Sequence, residues 1–587
     1  LEETIEFKRS GILLKKKFFS YLFPTVMMNV ALSLGMIVDG IIVGNLLGTE
    51  AFSAVNICAP LIYFFNAMYA LHGVGGSTLV AHSKGKMEHA LANRLYTLSL
   101  MGLLATSVLV ALIGFFASGS IAHAISGGSV LEPLVYDYFR LQIMGAPLLV
   151  VVPGMVYFIR TDSRPQFAAN ILIIANVVNL CCDMIYMGVF NMGISGAALA
   201  TLTGYLVGGL VSLHYFLSKS KTLHLVSVKE DLFKNYKSIL STGVPSALFG
   251  ITGFIKNFSV NTIVLATLGP NGVAMFGVCL NTLSLSSIVI GGTSQTVIPV
   301  IGCVYGEKDY KGIQTVIKTA LKTVGGLCSV ILLILLLFPA QIASLFGITD
   351  PDILVSINSA IRTFAFSLPF FGINFLMVSY FQTIKRRLFS STITVMENII
   401  ILLPLMLLFE NAFGEMGIWI SFVTAEVTTL AYILVMAKII QRKSQPRPDS
   451  ILLLQKTEGE ILDVTIHNKM EEAVGLSQVI IDFCLKNGLA KNKASHAGLI
   501  AEELATNIIS YGFKDQTTHF MDIRLNILPE SLILRIRDDG MPFNPVAYIE
   551  KEAVEESLGL ELVKKMSDDF EYSYVLNFNN VMVEIGL

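Results

Sequence analysis

Up to about residue 440 the chain is a succession of apolar runs separated by short polar stretches; beyond that the apolar residues become sparser and alternate with charged ones. The runs predict about twelve helices, near 18–42, 52–82, 91–116, 132–158, 168–190, 194–217, 238–268, 273–304, 315–338, 355–381, 389–409 and 416–440. Each is long enough to cross a bilayer core. The polar, proline-containing stretch Gln441-Arg-Lys-Ser-Gln-Pro-Arg-Pro-Asp449 then reads as a linker. After about residue 457 strands are predicted over 461–466, 519–528, 531–538, 570–576 and 580–586, with helices over 470–487, 493–511 and about 556–566.

The polar loops alternate in charge. Lys8, Arg9, Lys15, Lys16 and Lys17 precede the first span, Lys84, Lys86 and Arg94 follow the second, and Arg160 and Arg164 follow the fourth. Lys219 to Lys237, Lys308 and Lys311, Lys385 to Arg387, and Arg442 and Lys443 continue the series, while the intervening loops carry no Lys or Arg. By the positive-inside rule both termini are expected in the cytoplasm. The polar start leads into a full-length span with no small-residue cleavage site, so no signal peptide is expected.

The spans repeat. Pro24 and Pro245, Gly48 and Gly269, and Gly85 and Gly306 are each 221 residues apart; Thr161 and Thr383, Arg164 and Arg386, and Asn176 and Asn398 are each 222 apart. Two six-helix halves in the same orientation suit alternating access, with substrate held between them.

Composition agrees with this reading and narrows the partners. With 53% hydrophobic and 14% charged residues and a mean hydropathy of +0.68, the chain is a membrane protein. A net charge of −2 gives no footprint for nucleic acid. The seven cysteines, six of them in apolar spans, have neither metal-site nor disulfide spacing.

Candidate chemistry in the spans starts with the fifth, where Asn176, Asn179 and Asp183 form one stripe on a helix. A buried Asp costs about 2.5–3.5 kcal/mol at the centre of a spanning helix, so such residues face a bundle interior and mark ion or substrate paths. The repeat adds a contrast. The positions matching Asp39 and Asp183 in the second half are Val260 and Leu405, so the fold itself does not require the acids. Asn176, matched by Asn398, reads as structural. Glu397 and Glu426 are further candidates in the second half, without a partner stripe.

Val38-Asp39-Gly40-Ile-Ile-Val-Gly44-Asn-Leu-Leu-Gly48, Asn179-Leu-Cys-Cys-Asp183 and Gly193-Ile-Ser-Gly-Ala-Ala-Leu-Ala-Thr201 together resemble the multidrug and toxin extrusion (MATE) transporters, from about residue 15 to 440. The resemblance implies a cation site at Asp39, Asn179, Asp183 and Thr201 that takes H⁺ or Na⁺ as coupling ion.

Three motifs stand out in the tail: Glu502-Glu503-Leu-Ala-Thr-Asn507 on a helix, Asp538-Asp-Gly540-Met-Pro542-Phe after a strand, and Leu558-Gly559 opening a helix. In this order they resemble Bergerat-fold ATP-binding domains, especially those of anti-sigma-factor serine kinases. That resemblance implies ATP with Mg²⁺ on Asn507, Glu503 as general base, Asp538 accepting from the adenine amino group, Gly540 admitting the base and Gly559 closing the phosphate end. It also implies an anti-sigma-factor antagonist-like protein as a possible partner. Ser557 stands where the family usually has glycine, which weakens the case for phosphoryl transfer. The chain has no Gly-x-x-x-x-Gly-Lys-Ser/Thr loop, which argues against an ABC-type power stroke.

The expected fold is an all-α polytopic membrane protein of about twelve helices in two six-helix repeats, followed by a cytoplasmic α/β-sandwich ATPase-like domain. The expected divisions are an N-terminal segment 1–17, lobes 18–217 and 238–440 joined by 218–237, a linker 441–456 and the ATP-binding domain 457–587. The expected function is cation-coupled export of small organic, amphipathic or cationic compounds from the plasma (inner) membrane, in contact with membrane lipid. Its rivals are a membrane-tethered serine kinase and a lipid-linked oligosaccharide flippase. Against the flippase stands the expectation that the helices hold almost no cations besides Arg362 and Lys256.

Overall fold

The computed structural model describes residues 8–218, 221–345, 351–515, 517–551 and 558–587. Among these, ten helices are long and apolar enough to cross a membrane, and two bent helix pairs raise the number to twelve. They correspond one to one with the predicted spans. The fourth span bends by 52° between Met144 and Ala146 and the tenth by 41° between Ala365 and Leu368. At each bend a proline, Pro147 or Pro369, starts the second helix, where its missing N–H leaves no bond unmade.

The repeat is visible in backbone geometry. Gly48 (φ 85°, ψ 179°) and Gly269 (φ 66°, ψ −162°) break the continuous helices Ile12–Ile57 and Leu232–Gly306, separating span 1 from span 2 and span 7 from span 8. Thr161 and Thr383 each end the second helix of a bent span, and Arg164 and Arg386 each cap the next helix.

The lobes meet closely at one end of the bundle. A Cβ on Gly85 would lie 1.9 Å from the Cys303 carbonyl, and one on Gly306 would lie 2.2 Å from that of His82. His82 Nε2 bonds the Thr383 carbonyl at 2.7 Å, and Arg160 donates to Gln295 Oε1 at 3.1 Å. Two cations read as loop charges are therefore interior. Arg160 is buried in the last turn of its helix, and Lys84 is buried against Asp162 at 2.5 Å. The helices are also less poor in cations than expected, because Lys318 and Lys322 lie within Tyr310–Leu337.

The C-terminal part is a five-stranded antiparallel sheet, β1 (Glu460–His467), β2 (Phe520–Ile527), β3 (Ser531–Asp538), β4 (Asp569–Val575) and β5 (Phe578–Gly586), in the order β1-β2-β3-β5-β4. Helices Met470–Lys486 and Lys491–Asn507 cover one face over an apolar core that includes Leu476, Ile480, Ile500, Ile523, Leu534 and Val583. A short helix, Pro545–Lys551, was not anticipated. The helix expected from about 556 is described from Leu558 to Met566; 556 and Ser557 lie outside the described residues.

Candidate functional sites

In the first lobe, the first, fifth and sixth spans bring Asp39, Asn179, Asp183 and Thr201 together. Asn179 Nδ2 donates to Asp183 Oδ2 at 3.2 Å and lies 3.5 Å from Thr201 Oγ1, which itself donates to the Ala197 carbonyl. The Asp39 and Asp183 carboxyls interact directly, and each keeps one buried oxygen without a hydrogen-bond partner. Asp183 is fully buried, at the point where the α-helix Pro165–Asp183 widens into the π-helical turn Met184–Val189. Such turns recur at functional sites because they displace a side chain from the regular ladder. Two unsatisfied carboxyl oxygens beside an amide and a hydroxyl are a set of hard donors chemically able to take a proton or small cation.

Asn176 does not join them. Its amide fills the space where a Gly35 Cβ would stand, 2.0 Å from its Oδ1, and so locks the fifth span to the first. Its counterpart Asn398 donates to Thr252 Oγ1 of the seventh span at 3.1 Å. Tyr138 of the fourth span lies within electrostatic reach of both carboxyls and accepts from Gln142 at 3.2 Å. Sequence reasoning missed it; a Tyr and a Gln four residues apart on an apolar helix were the available signal.

In the second lobe, Asn374 of the tenth span donates to Glu426 Oε2 at 2.8 Å. Glu397 is buried with neither carboxyl oxygen bonded, within electrostatic reach of Glu426 and Lys256. These groups come from four helices, so no stripe on one helix could announce them.

In the C-terminal domain a cavity of about 370 Å³ opens between the sheet and its helices, lined by Asn507, Tyr511, Asp538, Phe543, Tyr548 and Asn579 among others. Asp538 ends β3 and is buried. Its Oδ1 accepts from the Gly540 amide and from Asn579 Nδ2, both at 2.8 Å, while Oδ2 is buried without a partner. Burial pushes its carboxyl up to about 6. The free oxygen is a buried acceptor that nothing in the protein satisfies. A Cβ on Gly540 would lie 2.8 Å from the Gly512 carbonyl, which explains the glycine. Asn507 Nδ2 donates to Glu503 Oε1 at 2.9 Å, and a Cβ on Gly559 would stand 1.7 Å from that same oxygen. Of the five expected residues, Asn507 and Asp538 line the cavity, while Gly540 bonds Asp538 and Gly559 packs against Glu503, the hydrogen-bond partner of Asn507. Asn579 was missed; it reaches Asp538 only because β5 returns beside β3.

A twelve-span bundle of two like lobes with carboxyls buried inside them is the architecture of a membrane transporter. The chain belongs to the MatE family, whose model matches residues 24–185 and 245–408. Residues 466–583 match the histidine kinase-like ATPase domain. Among curated proteins, the multidrug export protein MepA of Staphylococcus saprophyticus is 23% identical over 399 residues, covering 67% of this chain and 87% of that protein. MepA of Staphylococcus aureus is 24% identical over 403 residues, covering 67% and 87%. Among solved structures, an outward-facing multidrug resistance MATE transporter aligns with a TM-score of 0.68 at 23% identity, over 74% of this chain and 98% of that one. A Vibrio cholerae MATE transporter aligns with a TM-score of 0.70 at 18% identity, over 76% and 100%. These likenesses cover the membrane part and establish its fold.

Proposed function

We propose that the protein is a cation-coupled antiporter that exports small organic, amphipathic or cationic compounds across the plasma membrane, with a fused domain that binds ATP and regulates transport. The observation that carries the proposal is the convergence of Asp39, Asp183, Asn179 and Thr201 in one lobe, with Val260 and Leu405 standing where the acids would fall in the other. Binding H⁺ or Na⁺ neutralises a carboxyl pair that is costly to bury charged, and the first and fifth spans that carry the pair can then shift together. The multidrug export proteins among its relatives support the substrate class. The alternating loop charges support an orientation with both termini, and the nucleotide domain, in the cytoplasm.

In the tail, Asp538 would hold the adenine and Asn507 the Mg²⁺ that accompanies the phosphates, with Gly540 and Gly559 admitting the base and the phosphate end. The hydrogen bond from Asn507 to Glu503 supports Glu503 as the general base. Bound nucleotide supplies the phosphoryl chemistry if a substrate hydroxyl reaches it. The second reading, a tethered serine kinase acting on an anti-sigma-factor antagonist-like protein, rests on that Glu503–Asn507 pair.

The test is dye efflux driven by a proton or Na⁺ gradient in lipid vesicles, comparing wild type with Asp183→Asn and Asn507→Ala. Efflux lost in the first variant and altered but present in the second is the expected result. Undetectable efflux in wild type, with Asn507-dependent phosphorylation of a partner protein, would replace this reading with the tethered kinase.

A further inference from the structure

The face of the C-terminal sheet left bare by its helices carries two rows of polar side chains. One row runs Asp463, Arg524, Arg535 across β1, β2 and β3; the other runs Thr465, Asp522, Arg537, Asn580 across β1, β2, β3 and β5. On an ordinary antiparallel sheet such a face meets water. Here it does not: Thr465, Asp522, Arg537 and Asn580 are all buried, because the face lies against the end of the bundle where the lobes close.

Each lobe is gripped there. Arg535 donates to the Gly85 carbonyl at 3.2 Å in the first lobe. Arg524 donates to the carbonyls of Glu307 and Lys308, at 3.2 and 2.7 Å, and Arg537 pairs with the Glu307 carboxylate, both in the second lobe. Gly85 and Gly306 are the repeat-related helix-end residues packed against the opposite lobe, so the domain holds the two sides of one seam. Arg9, just ahead of the first span, ties the same cluster together, bonding Asp309 at 2.6 Å and Asp463 at 2.8 Å. Asp309 in turn accepts from the Gly312 amide at the start of its helix.

A second feature points the same way independently. The β4–β5 turn places Leu576 at φ 58° and Asn577 at φ 54°. Left-handed pairs in two-residue hairpins favour Asn, Asp and Gly, and a bulky Leu is out of place there. Yet Leu576 is only 2% exposed, packed with Val575 and Phe578 into an apolar cluster built from Leu14, Phe18, Val304 and Ile317 of the bundle. Leu453, in the linker, has φ 55° and enters the same cluster. The turn is shaped for docking rather than for solvent.

We propose that the bare sheet face and the Leu576 hairpin form a docking surface for the lobes in their closed arrangement, so that the domain clamps the cytoplasmic gate of the transporter shut. The clamp deepens the regulatory role proposed above and rests on the cytoplasmic placement of the domain. Opening the gate parts Gly85 from Gly306, and one domain cannot then keep both grips. Release of the sheet face is therefore a required step in reaching the state open to the cytoplasm. The nucleotide cavity is connected to the clamp within one residue: Asp538 lines the cavity, and the adjacent Asp539 pairs with Lys16 of the first span at 3.0 Å.

The test is amide hydrogen exchange of the full chain in lipid nanodiscs, read over the gate segments 75–85 and 297–306. It compares wild type with Leu576→Asp, which suits the turn but not the apolar cluster, and with Arg535→Ala, which removes the grip on the Gly85 carbonyl. Binding of a fluorescent ATP analogue confirms that each variant domain is folded. The clamp requires roughly tenfold faster exchange of the gate segments in variants that still bind the analogue. Unchanged gate exchange in such a variant overturns it, as does a wild-type protein whose β1–β3 amides and gate segments both exchange freely. If Leu576→Asp loses nucleotide binding, Arg535→Ala alone decides. Because the readout is conformational, it stands whether or not Asp183→Asn abolishes efflux.

Discussion

Asp39 and Asp183, from the first and fifth spans, face each other within one lobe, each with a buried oxygen that nothing in the protein satisfies. Carboxyls in this position do not earn their place through packing, since Val260 and Leu405 serve at the matching positions of the other lobe. Asp39→Asn preserves shape and removes the titrating group. Transport in vesicles is expected to fall to background while expression, detergent extraction and thermal unfolding stay close to wild type. Full efflux by this variant would remove the site from the mechanism.

Asp538 makes the nucleotide site sensitive to pH. Burial raises its carboxyl to about 6, so the ionised form that accepts from an adenine amino group is present above that value and lost as pH falls through it. Binding of a fluorescent ATP analogue should therefore weaken between about pH 7.5 and about pH 5. Asp538→Ala should weaken it at all pH values and flatten the dependence, by about tenfold to a hundredfold at neutral pH, the loss of a hydrogen bond to a charged group. A pH dependence that survives in the variant would assign the titration to another group.

Much of this architecture is written locally and so can be read from the chain. Spanning runs report the solvent they require, and the paired glycines and prolines recur at the same breaks in both lobes. What could not be read depends on contacts distant in sequence. Asn579 becomes a partner of Asp538 through strand order, and Glu397, Glu426, Asn374 and Lys256 meet from four helices. Lys84 and Arg160 are expected in loops, where charge normally signals exposure, but they lie in the last turns of their helices and are buried. The alternation of β1 to β3 predicts a wet face, and only the docked structure reveals a dry one.

Gly48 and Gly269 offer a matched pair of backbone tests. Both adopt a conformation open to glycine and closed to other residues, and a Cβ at either would meet nothing within 4 Å. Alanine at each should therefore destabilise through the backbone alone, by about 1–3 kcal/mol, and by similar amounts in the two lobes. Thermal unfolding of purified protein checks both, and a lowered midpoint in only one variant would mean that the two breaks are not equivalent in energy.

Asn507 separates nucleotide binding from its use. Its Nδ2 donates to Glu503 Oε1, so in the proposed reading Oδ1 would be the hard oxygen that meets Mg²⁺, while the adenine contact would depend on Asp538. Asn507→Ala should leave an ATP analogue bound in the absence of Mg²⁺ but abolish the gain in affinity that Mg²⁺ gives the wild type. Removing the side chain also frees Glu503 from its orienting bond, so any hydrolysis or phosphoryl transfer should fall together with the metal dependence. Efflux driven by an ion gradient should persist, since the Asp39–Asp183 carboxyl pair lies in the membrane lobe. Titration of the analogue with and without Mg²⁺, alongside vesicle efflux of the same preparation, checks both halves. Efflux that disappears with Asn507 would make the nucleotide an energy source for the cycle rather than its regulator.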